Sequence, residues 1–219
     1  MKPPQPKKVR KIHIAHGDER IDDYYWLRDD TRKNPEVISY LESENKYLEN
    51  WFESKNDCRK KIYDELVSFI PPHEVSMKVK HGDYLYFSEI SSDQQYKIYY
   101  REIDGKKELV LDVNELAKDL DYFNVASIIP SPNNQYIAYA EDLSGRREYN
   151  ITIKNLETGK IIDESIHRSS GTVVWNKNND TIYYALKDPV TLIENKVFKH
   201  KVGTDTKEDI LIYEEKDTE

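Results

Sequence analysis

Two neighbouring histidines and two pairs of aspartates are the residues of this chain that could coordinate a metal ion. His13 and His16 lie three residues apart, a spacing that metal ligands can have. Two acidic pairs that could coordinate a cation follow them: Asp22-Asp23 and Asp29-Asp30. The histidines lie in extended or loop sequence, and arginines alternate with the aspartates, so a local salt-bridge network is the better interpretation. We expect no metal and no cofactor.

The glycine positions decide three further motifs. The seven glycines are Gly17, Gly82, Gly105, Gly145, Gly159, Gly171 and Gly203. No two of them lie four residues apart, which excludes the G-x-S-x-G turn that carries the nucleophile of many serine hydrolases. The same spacing excludes a phosphate-binding P-loop and the glycine fingerprint of dinucleotide sites. The sequence therefore offers no catalytic residue.

The composition limits the kinds of binding partner and the cellular compartment that we expect for this protein. The chain has a formal net charge of −8, whereas nucleic-acid binding needs a basic face, so we expect no nucleic-acid partner. No apolar run approaches the roughly 20 residues of a membrane-spanning helix, and no apolar stretch of a secretory signal follows the basic N-terminus. Cys58 is the single cysteine, so we expect a cytoplasmic protein without disulfides. Its spacing to Ile62 and Leu66 predicts that the thiol lies on the buried face of a helix.

Three similar stretches organise the second half of the chain. Each has two strand-forming runs, a polar loop between them and a glycine turn after the second run. The first runs begin at Tyr84, Tyr136 and Ile182, which are 52 and 46 residues apart. A period near fifty residues with three or four short strands per unit is typical of β-propeller blades, although a β-sandwich also has recurring hairpins. Closed propellers have four to eight blades, so about three blades make an incomplete propeller.

The N-terminal third has the pattern of an arm followed by helices. Residues 3–16 are predicted to be extended. Asn34 and Pro35 are a good N-cap and first helical residue, and a second helix is predicted from about Asn56 to Phe69, before two prolines. A short helical excursion or loop is expected at residues 113–123. The sequence thus predicts a mainly β protein with an arm and two helices in residues 1–72 and a partial propeller in residues 73–219, its blades at about 75–120, 121–170 and 171–219.

The polar loop of the middle stretch is a candidate for an interdomain or substrate-facing ion-pair site. Loops at one end of a propeller tend to make its contacts, and this loop is rich in charge. The candidates for interdomain or gating ion pairs are Glu141, Asp142, Arg146 and Arg147. The alternative is that the loop is merely solvated.

Several longer motifs carry a more specific signal than any short pattern. The run HGDERIDDYYWLRDD, with YLESENKY behind it, is similar to the N-terminal signature of the prolyl oligopeptidase family, and most closely to that of its oligopeptidase B members. Three further stretches are similar in the same order: IPPHEVSMK, AEDLSGRREYNITIKNLETGK and KDPVTLIENKVFKHKVGTDTKEDILIYEEKD. The resemblance covers the chain almost from end to end.

The resemblance implies a cytoplasmic serine endopeptidase that cleaves short basic peptides after Lys or Arg. In that family a seven-bladed propeller restricts substrate size, and a C-terminal α/β-hydrolase domain carries a Ser-Asp-His triad. This sequence would be the N-terminal fragment, without the triad and inactive alone. Its partners would be the hydrolase domain and the remaining blades.

The same resemblance assigns a role to the aromatic N-terminal segment. The arm and helices would pack against the hydrolase domain, and the candidate docking residues are Tyr25, Trp26, Leu27, Trp51 and Phe52. Two other interpretations stay open. One is a free-standing, propeller-like binding or oligomerising module, and the other is the product of a broken gene.

Overall fold

A computed structural model describes residues 2–217 of the chain. Contacts divide the chain into two compact units, with the boundary between Ile70 and Pro71. None of the helices in residues 2–217 is long and apolar enough to cross a membrane.

The first unit opens with a hairpin. Strands β1 (Lys11–Ala15) and β2 (Asp18–Asp22) pair antiparallel across a two-residue turn. Both turn residues have positive φ, 53° at His16 and 87° at Gly17, which is the conformation of a tight hairpin turn. The sequence predicted an extended arm here, and the turn folds the end of that arm back on itself.

Two helices complete the first unit. Helix α1 (Pro35–Glu53) begins as predicted, because the Asn34 side chain accepts a hydrogen bond from the Glu36 N–H at 3.0 Å. Helix α2 (Asn56–Ser68) ends before Pro71. Among the described residues of this unit, Val37 is the single buried side chain. The apolar stripes of both helices therefore lie uncovered.

The face of α2 that carries Cys58 differs from the prediction. The thiol is exposed, and so are Ile62 and Leu66, at 54% and 61% of their full accessible area. The spacing places these residues on one face as expected. Within the described part of the first unit nothing buries that face, and Val37 is the single buried side chain there.

The second unit is built almost entirely of antiparallel strands. Its elements are β3 (His73–Val75), β4 (Val79–His81), β5 (Tyr84–Ser91), β6 (Ile98–Ile103), β7 (Lys106–Asp112), α3 (Val113–Leu116), β8 (Asn124–Pro130), β9 (Tyr136–Asp142), β10 (Tyr149–Asn155), β11 (Ile161–Trp175), β12 (Thr181–Lys187), β13 (Glu194–Lys201) and β14 (Ile210–Glu214). One sheet has the order β3-β5-β6-β7, with β4 also paired to β5, and the other runs in sequence from β8 to β14. The mainly β fold is as the sequence predicted.

Strand β11 is shared by two successive groups of four strands. Its first half pairs with β10 and its second half with β12, with a break in register between Ser169 and Val173. Gly171 lies at this break with φ of 92°, and a Cβ there would lie 2.8 Å from the ring of Tyr149. The strands thus form a first group (β3 to β7), a second group (β8 to the first half of β11) and a third group (the second half of β11 to β14).

Two apolar cores lie between these groups. Along β9, Ile137 and Tyr139 point into the core shared with the first group, while Ala138 and Ala140 point into the core shared with the third group. Successive residues of a strand face opposite sides of the sheet, so a strand covered on both faces is buried at every position. The groups therefore stack face to face, as propeller blades do.

Candidate functional site

The loop between β9 and β10 is shaped by a buried carboxylate. One oxygen of Asp142 accepts the backbone N–H groups of Ser144 at 2.8 Å and Gly145 at 3.0 Å, and the other accepts the Arg147 N–H at 2.8 Å. Burial alone would raise the pKa of Asp142, but these backbone donors lower it below its ordinary value. Asp142 therefore holds the loop in shape rather than facing solvent.

Glu141, another of the predicted ion-pair candidates, lies on the other face of the strand from Asp142. Glu141 is partly buried, and its pKa is raised by burial and by the nearby negative charge of Glu164. Alternation along β9 separates Glu141 from Asp142, so the structure does not bring the two carboxylates to one site. Arg146 and Arg147 follow on the loop itself, and Arg147 has a left-handed backbone with φ of 57°.

The loop between β12 and β13 repeats this arrangement. Asp188 lies 46 residues after Asp142 and accepts the N–H groups of Val190 at 2.9 Å and Thr191 at 2.7 Å. These two backbone hydrogen bonds lower the pKa of Asp188. An aspartate after the second strand of a group is thus a repeated device that folds the following loop.

The two loops are joined by a direct contact. The side chain of Lys187 donates a hydrogen bond to the carbonyl of Arg147 at 3.0 Å. Arg168 lies beside them on β11, also with a left-handed backbone (φ of 60°), and pairs with Glu148 at 3.2 Å. Left-handed backbone is uncommon for residues with bulky side chains, and such strain concentrates where structure serves a function.

A cleft of about 240 Å³ opens between these loops. Its lining residues are Glu148, His167, Arg168, Leu186, Lys187, Asp188, Pro189 and Leu192. The lining offers cations and carboxylates, so the cleft can form ion pairs with charged groups. The four residues singled out from the sequence, Glu141, Asp142, Arg146 and Arg147, do not line this cleft themselves. No signal in the sequence pointed to Arg168 and Lys187, because they come from other hairpins.

The predicted docking residues form two local clusters in the first unit. Tyr25, Trp26 and Leu27 make a single 3₁₀ turn, in which the indole N–H of Trp26 donates to the Lys7 carbonyl at 2.8 Å. Trp51 and Phe52 lie at the end of α1 with their rings 4.8 Å apart, edge to face.

Cations cover both aromatic residues at the end of α1. Lys55 lies 3.8 Å from the ring of Trp51, and Arg59 lies 4.6 Å from that of Phe52. The Trp51 side chain still keeps 49% of its accessible area. The aromatic surface at this helix end is therefore open to a partner.

The aspartates of the second acidic pair near the N-terminus make local contacts. Asp29 accepts the N–H groups of Lys33 and Asn34, each at 2.6 Å, and the bond from Asn34 is the main reason that its pKa falls to about 2. Arg28 pairs with Asp30 at 3.1 Å, in line with the salt-bridge interpretation. In residues 2–217 no group of three or more His, Cys, Asp or Glu side chains is arranged so that it could hold a metal ion.

Comparison with known proteins identifies the family of this chain. The family model described as "Prolyl oligopeptidase, N-terminal beta-propeller domain" matches residues 3–219. The chain belongs to the prolyl oligopeptidase family. Within that family it is 36% identical to Protease 2 of Moraxella lacunata over 99% of the chain, and 34% identical to dipeptidyl aminopeptidase BI of Pseudoxanthomonas mexicana over 98% of the chain. The chain spans about a third of the length of these relatives, 32% of each.

Solved structures of the prolyl oligopeptidase family have the same fold. Oligopeptidase B from Leishmania major superposes with a TM-score of 0.90 at 29% identity, over 99% of this chain and 33% of that one. Oligopeptidase B from Trypanosoma brucei, in a closed form with covalently bound antipain, gives a TM-score of 0.87 at 27% identity. The two units thus correspond to the N-terminal part of longer peptidases.

Proposed function

We propose that this chain is the N-terminal arm and the first blades of the propeller in an oligopeptidase B-type serine endopeptidase. In this proposal the propeller restricts the size of substrates, and the whole enzyme cleaves short peptides after Lys or Arg. The observation that carries it is the match of nearly the whole chain to the leading third of oligopeptidase B, with a TM-score of 0.90. The absence of a nucleophile elbow from the sequence agrees with a catalytic triad on another part of the enzyme.

The two candidate surfaces take different roles in this proposal. The aromatic cluster of Trp51 and Phe52 and the uncovered face of α2 would dock on a hydrolase domain, because an isolated unit with a single buried side chain cannot offset its conformational entropy. The loop that carries Arg146 and Arg147 would make ion pairs that control access. The strand groups β3 to β14 would supply the first three blades.

Substrate class is the sharpest test of the proposal, because the relatives bear three different names. The full-length protein is purified and assayed with three chromogenic substrates. The first has Arg before the chromogenic group, the second has Pro there, and the third is a dipeptide with a free amino terminus. Preferential hydrolysis of the Arg peptide supports the proposal. A preference for the Pro peptide would replace it with cleavage after proline, and a preference for the free-amino dipeptide would replace it with a dipeptidyl aminopeptidase specificity. Residues 1–219 alone are the control, and we expect no turnover by them.

One observation favours a second candidate, a free-standing module that binds or oligomerises through its sheet edge. Strand β14 is the edge of the second sheet, and its apolar side chains are exposed, from 44% at Leu211 to 56% at Ile210. Such an edge is open to pairing with another chain. A discrete oligomer with a cooperative thermal transition, formed by residues 1–219 alone, would favour this module.

A further inference from the structure

A buried histidine lies between two buried carboxylates in the third strand group. The ring of His200 on β13 has its Nδ1 atom 2.6 Å from Asp209 and its Nε2 atom 2.8 Å from Asp163. The exposed fractions of the three side chains are 0% for His200, 3% for Asp163 and 2% for Asp209. Water therefore does not screen this cluster.

This geometry favours a positively charged ring. A neutral imidazole has one N–H, so one of its nitrogens would turn a lone pair toward a carboxylate oxygen within 2.8 Å. An imidazolium donates from both nitrogens and offsets the charge of two carboxylates that burial would otherwise make costly. Burial opposes the charged ring, but the hydrogen bonds and charges of both aspartates outweigh it, so the pKa of His200 is raised.

The remaining carboxylate oxygens are also satisfied. Asp163 accepts the N–H of Gly203 at 2.6 Å and that of Ser165 at 3.0 Å, and its pKa is lowered because these bonds and the one from His200 outweigh its burial. Asp209 accepts the hydroxyl of Tyr184 at 2.7 Å. Burial and this bond raise the pKa of Tyr184, which remains a neutral donor. When the ring carries two protons, it therefore donates a hydrogen bond to each of the two aspartates.

The cluster joins parts of the sheet that are far apart in sequence. Asp163 belongs to the half of β11 that pairs with β10 in the second group. His200 lies on β13 and Asp209 directly precedes β14, both in the third group. Among the described residues, the titratable groups bonded within the cluster are Asp163 from β11, Asp209 from the segment before β14 and Tyr184 from β12.

We propose that His200 is a proton-dependent latch, an obligatory imidazolium that holds β13 and the segment before β14 onto β11. Folding then takes up a proton at neutral pH. The latch contributes its full stability below the ordinary histidine pKa of about 6.5 and loses it as pH rises through the raised pKa of the folded state. Asp163 acts in the opposite direction, since its contribution is lost as pH falls below its ordinary range. The third group is therefore most stable in mildly acidic to neutral solution.

The charge of the ring can be read directly in the wild-type full-length protein. Histidine ¹⁵N resonances are recorded at about pH 8, above the ordinary histidine pKa. The latch predicts imidazolium shifts for both ring nitrogens of His200. A neutral ring at that pH would overturn the proposal, and this result needs no variant to fold.

A pair of variants tests the source of the raised pKa. Asp209→Asn keeps an acceptor for Nδ1 but removes the charge, and the titration midpoint of His200 should fall by at least about one pH unit. Glu208→Gln removes the same charge from the exposed neighbour and should leave the midpoint unchanged. Equal shifts in both variants would contradict the latch.

A third variant ties the proton to stability. In wild type the folding equilibrium constant should fall up to tenfold per pH unit between the ordinary histidine pKa of about 6.5 and the raised pKa of His200, because in that range the folded state holds one proton more than the unfolded state. In His200→Gln this fall should be absent. A fall of the same steepness in His200→Gln would show that another group is responsible.

Discussion

The side chain of Lys187 lies 3.0 Å from the carbonyl of Arg147, so a hydrogen bond joins the loops of two successive strand groups. Each of these loops is folded by the aspartate that ends the preceding strand or directly follows it, Asp142 in one and Asp188 in the other. The β9–β10 and β12–β13 loops thus form one connected surface rather than two independent solvated loops.

Removal of the Asp142 carboxylate should destabilise the second unit. Asp142→Ala removes a buried carboxylate that accepts the N–H groups of Ser144, Gly145 and Arg147, and we expect a loss of about 1–3 kcal/mol in the free energy of unfolding. Urea denaturation measures it. The matched variant Asp188→Ala should cost less, because Asp188 is itself only partly buried. A larger loss at Asp188 would refute this explanation.

Gly171 should tolerate no side chain. Gly171→Ala places a methyl group 2.8 Å from the Tyr149 ring and also imposes a left-handed backbone on alanine. Gly159 has a similar φ of 72° but open space around it, so Gly159→Ala isolates the backbone cost of about 1–2 kcal/mol. Thermal unfolding should show that Gly171→Ala is worse by about 1–3 kcal/mol. Equal losses would mean that Tyr149 moves aside freely.

The first unit should be poorly protected in the isolated chain. Residues 17–52 contain Trp51, which is 49% exposed, and they contribute one buried side chain, Val37. Hydrogen exchange of residues 1–219 should therefore be fast in this segment and slow in β9 and β10, which are buried on both faces. In the full-length protein the segment should become protected. Strong protection in the isolated chain would contradict a docking role.

The proposed gating loop predicts an effect on catalysis without a loss of fold. Arg147→Asn in the full-length protein keeps a residue that accepts the left-handed backbone but removes the cation. We expect kcat/KM for an Arg peptide to fall several-fold, with the same thermal stability. Lys160→Asn, an exposed cation in the β10–β11 turn, is the control. An unchanged kcat/KM in Arg147→Asn would exclude the loop from control of access.

Local patterns sufficed to predict much of the fold. The helix start at Asn34 and the strands β5, β9 and β12 each follow from residues within a few positions of one another. Strand β11 was missed, because the segment around Gly171 has the composition of a turn although it lies at a register break inside one strand. The buried face predicted for α2 was wrong, since periodicity shows which residues share a face but not what covers it.

Less of the candidate site than of the fold could be predicted from the sequence. Asp142 and Arg147 are close in the chain and were predicted together, whereas Lys187 reaches Arg147 from 40 residues away. The His200 cluster is similar, because Asp163 lies 37 residues before the ring that it holds. Contacts of this kind depend on the pairing of whole strands, which no local motif reports.

The polypeptide mass in an extract of the source cells tests the central claim most directly. An antibody raised against residues 17–52 is used to detect the protein after denaturing electrophoresis. If this chain is the leading part of an oligopeptidase B-type enzyme, the band should be about three times heavier than 26.0 kDa, since the chain spans 32% of its relatives. A single band at 26.0 kDa would contradict the claim and would favour a free-standing module.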